Sequence, residues 1–482
     1  MKYNHALFLN PYVTGNSSRD GIRGLFPPTG LEYVATSAKG LAEKITLLDL
    51  RHEKDLSDIN KLLDFISKEI DIICVSIGWD RQLREICDLL NLMPLGVPLV
   101  VGGYKATEIV EELFEICPTI DVIVRGEGEE TIKEILEDRA FDDISGISYR
   151  GEDDRIIHNA NRPLPDVNIL LPPDRTLRRT DYHMEVNGVN VISLSFDTIL
   201  SARGCPYNCK FCTFSLNPLG QKRHYSARSA ESVVGEIEKI DADAVLFSDD
   251  NFFTDIKRAE RICDLIIARG IKKRLIAQAR IDIAKHPKLL EKIVKAGFKI
   301  LLIGIESPHD RILAQLNKGF DSAAVREAFA VLRKYPIYYH GYFIYGNIGE
   351  TEEEMLYIPK FAKEIGVDSI TYSKLRIEKF SPLKQIAEKA SGYYIAEGGT
   401  LYSDKYGPAA MRRIGKKIKF SFFTPLKFLR IPIKFLKVRF FTFGEIMSFV
   451  AAAPLLLTNI IVREVRKGRL GDSLRRIFIK NA

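Results

Sequence analysis

The chain has 482 residues, 46% apolar and 28% charged, which is the balance of a globular protein long enough for two or three domains. Seven cysteines, three of them in one loop, exclude a disulfide framework and imply a reducing, cytoplasmic setting. The net charge of +7 hides an asymmetry: residues 411–482 hold 17 of the 70 Lys and Arg but only three of the 63 Asp and Glu, so a mildly acidic body carries a basic tail.

The N-terminus reads directly into a strand and not into a signal peptide. Five apolar runs follow: His5–Asn10, Lys44–Leu50, Asp71–Ile77, Pro98–Gly103 and Asp121–Val124. Continuous apolar runs separated by helices predict a parallel, doubly wound sheet, with ligands at the C-terminal strand ends. Those ends carry Asn10-Pro11, Ser76-Ile77-Gly78, Gly102-Gly103 and Arg125-Gly126-Glu127-Gly128-Glu129. Glycine there admits a bulky, flat ligand close to the backbone. Trp79 follows the third strand and is a candidate wall for such a ligand, or an ordinary packing aromatic. Cys74, Cys87, Cys117 and Cys263 fall within strand and helix patterns and read as small buried hydrophobes.

Residues 141–188 form a linker rich in Pro, Asp and Arg, opening on a hairpin from Gly146–Arg150 to Arg155–Ile157. A strand over Val191–Leu200 then leads into Ser201-Ala-Arg-Gly-Cys205-Pro-Tyr-Asn-Cys209-Lys-Phe-Cys212-Thr-Phe214. Three thiols in a C-x3-C-x2-C spacing cannot complete a four-cysteine site. Around four irons they leave one iron open to chelation by a small molecule. Zinc with a distant fourth ligand fits less well, because no second C-x2-C or H-x3–5-H half exists.

Strand and helix signals alternate again through residue 378. With Val191–Leu200, runs at Ala244–Ser248, Arg274–Gln278, Lys299–Gly304, Tyr338–Tyr345 and Ser369–Tyr372 make six strands, a partial (β/α)6 barrel open to a bulky substrate. Catalytic groups gather at the C-terminal strand ends of such folds. Here those ends carry Asp249-Asp250, Arg280, Glu306-Ser307, Gly346 and Glu350. Carboxylates suit an ammonium group and ribose hydroxyls, an arginine suits a carboxylate, and glycines admit an adenine ring.

The tail is mostly helical in pattern. Residues 405–444 contain no Asp or Glu but eleven Lys or Arg and eight Phe, and an apolar stretch follows over Ile446–Val462. Seventeen residues broken by Pro454 and Asn459 are marginal for a membrane span. The segment 411–462 reads either as an interfacial contact with anionic lipid or as a cap closing the barrel with solvated lysines. No RNA module is recognisable, so nucleic acid ranks behind both.

The cysteine loop resembles the signature of the radical SAM superfamily, with Cys205, Cys209 and Cys212 as ligands of a [4Fe-4S] cluster and Phe211 before the last of them. The resemblance implies that the open iron binds S-adenosylmethionine (SAM) and that one electron splits it to a 5′-deoxyadenosyl radical. It assigns SAM contacts to Asp249 or Asp250 (amino group), Arg280 (carboxylate), Glu306 and Ser307 (ribose side), and Gly346 with Glu350 (adenine side). Ser381-Pro382-Leu383 stands where many relatives have Pro-Gly-Thr. Residues 1–140 resemble the cobalamin-binding domain that precedes many radical SAM cores, through Pro27-Pro28-Thr29-Gly30-Leu31, Val100-Val101-Gly102-Gly103 and Gly126–Glu130. Ser76, Trp79, Gly102, Gly103, Gly126, Glu127 and Gly128 are its candidate cobalamin contacts. The D-x-H-x-x-G motif that supplies a histidine under the cobalt is absent: Asp49-Leu-Arg-His52 is misspaced, and Asp181-Tyr-His183 lacks its glycine.

Residues 1–380 together resemble cobalamin-dependent radical SAM enzymes, the group with hopanoid methylases and the anaerobic magnesium-protoporphyrin ester cyclase. The expected order is a Rossmann-like cobalamin domain (1–140), linker (141–188), radical SAM core (189–380) and basic helical region (381–482). The implied activity is methylation of an unactivated carbon: the radical removes a hydrogen, methylcobalamin gives its methyl group, and a second SAM restores it. The tail suggests a lipophilic isoprenoid, hopanoid or tetrapyrrole substrate and attachment at the inner face of the membrane. The electron comes from a donor such as flavodoxin or ferredoxin. Other readings are cyclisation, oxygen insertion or carbon–carbon coupling without methyl transfer, a tRNA methylthiotransferase, and a cobalamin sensor without turnover.

Overall fold

In a computed structural model the described residues are 2–13, 26–53, 55–56, 58–186, 189–212, 216–396 and 398–452. Residues 453–462 of the predicted tail contact and Thr213-Phe214 of the cysteine loop lie outside them. Two seven-stranded sheets organise the chain.

The first sheet contains β1 (Tyr3–Asn10), β2 (Ala42–Asp49), β3 (Ile72–Ser76), β4 (Leu99–Gly102), β5 (Val122–Val124), β6 (Ile147–Arg150) and β7 (Ile156–His158), in the order β2-β1-β3-β4-β5-β6-β7. β1 to β5 run parallel, as their apolar runs predict. Alternate side chains feed two cores: Leu7, Leu9, Ile73 and Val101 on one face, Phe8, Ile72, Cys74 and Val100 on the other. The β6–β7 hairpin, expected to open the linker, adds antiparallel to β5 and extends this sheet, with Val122 opposite Tyr149.

The second sheet contains β8 (His183–Val186), β9 (Val189–Ile199), β12 (Ala244–Phe247), β13 (Arg274–Ala279), β14 (Phe298–Glu306), β15 (Tyr338–Tyr345) and β16 (Ser369–Lys374). Two short strands, β10 (Ala202–Arg203) and β11 (Ser226–Ala227), pair with each other around the cysteine loop. β9 and β12 to β16 are the six parallel strands expected, in an open order with β8 antiparallel at one edge. Helix starts carry side-chain caps: the Ser229 side chain accepts from Ser232 N, and Thr351 with Glu354 forms a capping box.

The tail closes this sheet from within. Ile192, Phe196, Ala244, Ile276 and Tyr338, near the N-terminal strand ends, pack with Val438 and Phe440, and Phe435 stacks on Tyr338 at 4.2 Å between ring centres. This much agrees with the cap reading. Two of the tail's lysines do not: Lys427 donates to Val367 O (2.7 Å), and Lys434 pairs with Asp368 at 3.5 Å. No helix among the described residues is long and apolar enough to cross a membrane.

Candidate functional site

The cysteine loop is held on every side by backbone and charged groups. Gly204 has φ +81°, and a Cβ there would stand 2.5 Å from His224 O, so only glycine can precede Cys205. Asp249 accepts from Ser201 N (2.7 Å) and Ala202 N (3.1 Å) and from the Ser201 hydroxyl. Asp250 accepts from Gly204 N at 2.9 Å. Both predicted amino-group ligands therefore also fix the loop's entry. Burial raises both carboxyls above their usual range, Asp250 to about 6.

On the far side, Lys210 N donates to Leu316 O (3.0 Å) and Asn317 Nδ2 to Asn208 O (2.8 Å). Ser381, where the family pattern is broken, donates its hydroxyl to Lys210 O at 2.6 Å. Arg280 Nη1 lies 3.8 Å from Cys209 Sγ, and its guanidinium lies over Tyr207, 3.7 Å from the ring centre. Burial raises the Cys205 thiol, against the pull of Tyr207 N–H and the Arg280 charge.

The remaining predicted SAM contacts lie at the same end of the sheet. Glu306 has φ +69°, rare for a residue with a Cβ, and accepts from Lys318 Nζ at 2.9 Å. Ser307 is buried beside it and accepts from His309 N. Glu350 accepts from Gly346 N (2.7 Å) and Asn347 N (2.9 Å), while its other oxygen is buried without a partner. The open face of Gly346 holds the Met411 methyl group, 2.3 Å from where a Cβ would stand. Cys209 and Cys212 open on a cavity of about 340 Å³ walled by Leu216, Pro218, Phe380 and Pro382.

A larger cavity of about 990 Å³ lies at the C-terminal ends of the first sheet. It brings together all seven predicted cobalamin contacts, Ser76, Trp79, Gly102, Gly103, Gly126, Glu127 and Gly128, with the Pro27–Leu31 segment. Gly103 has φ +103°, and a Cβ would stand 2.7 Å from Ile77 O. Trp79 is 68% exposed, so it is a cavity rim rather than a core aromatic. No histidine lines this cavity among the described residues, and residues 14–25 contain none in sequence.

The cavities meet: Tyr104, Glu108 and Glu378 line both. Sequence reasoning passed over these three, although Tyr104 directly follows Gly102-Gly103 and Glu378 follows β16. It also passed over Arg203, which pairs with Glu127 (2.6 Å) and Glu129 (2.5 Å) of the larger cavity from a position two residues before Cys205.

The donor sets fit the groups the sequence implies. Three thiols outside any disulfide share one loop. Such a set suits a cube of irons, where each thiol ligates a different iron. The larger cavity is wide, glycine-rimmed and mostly apolar, as a corrin ring requires. Cys74 belongs to one core of the first sheet, and Cys87 and Cys117 to the other, so they make no second cluster site.

Residues 199–362 match the family model described as Radical SAM superfamily, and residues 20–136 the one described as B12 binding domain. The chain is 29% identical over 351 residues to an uncharacterized methyltransferase of Pyrococcus horikoshii, covering 71% of this chain and 74% of that one. It is 28% identical to the anaerobic magnesium-protoporphyrin IX monomethyl ester cyclase of Cereibacter sphaeroides, over 59% of this chain and 48% of the cyclase. It is 26% identical to the hopanoid C-3 methylase of Methylococcus capsulatus, over 58% and 53%. The chain thus spans about half the length of the latter two. Among solved structures, the radical SAM methyltransferase TsrM of Kitasatospora setae, with cobalamin and [4Fe-4S] cluster bound, superposes with a TM-score of 0.65 at 18% identity, covering 82% of each chain. The cobalamin-dependent radical enzyme OxsB gives 0.65 at 16%, over 99% of this chain and 84% of that one. The chain thus carries a B12-binding domain in front of a radical SAM core, the arrangement of the cobalamin-dependent radical SAM enzymes.

Proposed function

We propose that the protein methylates an unactivated carbon of a lipophilic substrate, drawing one electron from a donor such as flavodoxin or ferredoxin and working at the inner face of the membrane. When bound, the [4Fe-4S] cluster with SAM supplies a hydrogen-abstracting radical, and cobalamin supplies the methyl group. The observation that carries this reading is the meeting of the two cavities at Tyr104, Glu108 and Glu378. A substrate reaching across that boundary touches both sites without leaving the protein.

The chain's own side chains bind, orient and exclude water. Arg280 offers a buried guanidinium beside Cys209 for a carboxylate. Lys318 and Glu306 form a buried ion pair at the adjoining strand end. Leu216, Pro218, Phe380 and Pro382 give the smaller cavity apolar walls that suit a hydrocarbon. Burial and the nearby Glu378 and Glu108 charges keep the Tyr104 phenol protonated, so it faces both sites as a neutral donor.

Anaerobic reconstitution with iron, sulfide and hydroxocobalamin tests the reading. The expected result is one cobalt and about four irons per chain, with no nitrogen hyperfine coupling in the reduced cobalt spectrum. Turnover then increases substrate mass by one methylene, and methyl-labelled SAM carries its label into the product. Iron without cobalt overturns methyl transfer and leaves hydrogen abstraction for cyclisation, oxygen insertion or coupling, the reading that the likeness to the ester cyclase favours. About eight irons would revive the methylthiotransferase reading. Full function in Cys205→Ala would remove the enzyme reading and leave the sensor.

A further inference from the structure

The helix Pro425–Lys437 faces the wrong way for a water-soluble surface. Leu426, Leu429 and Ile433 recur on one stripe and are 56%, 67% and 51% exposed, with Phe428 at 59%. None of its residues is fully buried. Two of its three lysines turn inward: Lys427 reaches Val367 O and the Phe422 ring, while Lys434 reaches Asp368 and the Tyr339 ring. An ordinary surface helix reverses this arrangement, exposing its lysines and burying its leucines. Nor does exposure continue the barrel cap, because Ile431, Phe435 and Val438 already serve that contact from the opposite face.

The surroundings say which occupant fits. Arg430 and Lys437 of this helix are exposed, as are Lys416, Lys419 and Arg439 in the flanking chain, where Phe420 and Phe443 are 70% and 69% exposed. No acidic residue occurs between positions 405 and 444, so this segment is cationic, and Asp368, an acid it meets, is already paired with Lys434. A second copy of this chain would bring the same positive charge against it, which is unfavourable. An anionic bilayer matches both features: apolar side chains enter the acyl boundary, and Lys and Arg meet the headgroup phosphates.

We infer that the outer face of the helix Pro425–Lys437 is a docking surface for anionic lipid, holding the protein on a membrane with Leu426, Phe428, Leu429 and Ile433 immersed. This rests on the face alone and not on the proposed chemistry. A Cys205→Ala protein is therefore expected to bind vesicles as its parent does, even if the methylase reading fails.

The test is flotation of the full chain with vesicles of phosphatidylcholine alone or mixed with phosphatidylglycerol. Binding is expected to the mixed vesicles, weak on phosphatidylcholine, and reduced by high salt, which screens the headgroup attraction. The double substitution Leu429→Asp, Ile433→Asp is expected to lower vesicle binding by more than about tenfold. Because both side chains already face solvent, the melting temperature should stay unchanged. Arg430→Glu with Lys437→Glu should weaken binding to mixed vesicles while leaving the residual phosphatidylcholine binding alone. The inference is overturned by failure of the full chain to float, by equal flotation of the double variant, or by a dimer that the double variant splits.

Discussion

Gly103 shows how a single backbone conformation shapes a binding site. With φ +103° and Ile77 O 2.7 Å from any Cβ, Gly103→Ala must strain the loop that floors the larger cavity, at a cost of about 1–3 kcal/mol. The expected outcome is a chain that keeps its full iron content after reconstitution but binds less cobalamin, read from metal analysis and the corrin absorbance. Asp197 works differently. Burial disfavours its charge, but Arg178 and Arg175 outweigh burial and hold the carboxyl below its usual range. A lowered folded pKa stabilises the protein above the unfolded value of 3.8 and is lost as pH falls through the folded value. The melting temperature should therefore drop steeply below about pH 4, and less steeply in Asp197→Asn, which starts from a lower plateau.

At the scale of elements, the linker turns out to be a clasp. Arg178 pairs with Glu32 of the helix Thr29–Ser37 and with Asp197 of β9, and Arg175 pairs with Asp197 and Glu236. Tyr182 donates to Asp49 at the end of β2. Because Glu32 and Asp197 are almost fully enclosed, Arg178→Met leaves two buried carboxylates short of a partner, at a cost of about 3–5 kcal/mol. Calorimetry should show the loss, together with a melting curve that separates into two transitions as the halves uncouple. The strands themselves were legible, because apolar runs of four to eight residues between helices have few other solutions in a chain of this kind. Tyr338–Tyr345 falls where the pattern puts it. The hairpin Ile147–His158 was seen as a hairpin, but its attachment was not: pairing across β5 depends on a partner strand that local sequence does not specify. The orientation of the helix Pro425–Lys437 was hidden for a related reason. Its amphipathic period is plain, yet period alone does not say which face turns inward when Asp368 and Val367 O can take the lysines.

For the whole molecule, the two sites could be read separately and their junction could not. Three cysteines in one loop announce their chemistry by spacing alone, and glycines at successive strand ends announce a broad ligand. Tyr104, Glu108 and Glu378 carry no such mark, since 270 positions separate Glu378 from Glu108 and only the fold joins them. Shrinking this boundary is expected to change which substrates are accepted before it changes cofactor content. Tyr104→Phe should leave iron and cobalt per chain intact and alter turnover, as product mass spectrometry would show. Arg203 has a wider reach. Its backbone sets the approach to Cys205, while its guanidinium holds Glu127 and Glu129 of the other cavity. A ligand that tightens either side must work against, or with, the same ion pairs. Thermodynamic linkage then requires reciprocity: whatever factor cluster assembly contributes to cobalamin affinity, cobalamin returns to the cluster. Cobalamin titrations of cluster-free and cluster-loaded protein should differ by that factor, and the difference should vanish in Arg203→Met. A coupling carried by one guanidinium shifts two affinities by the same factor without making either cofactor a condition for the other, so iron is expected to load in cobalamin-poor protein as well.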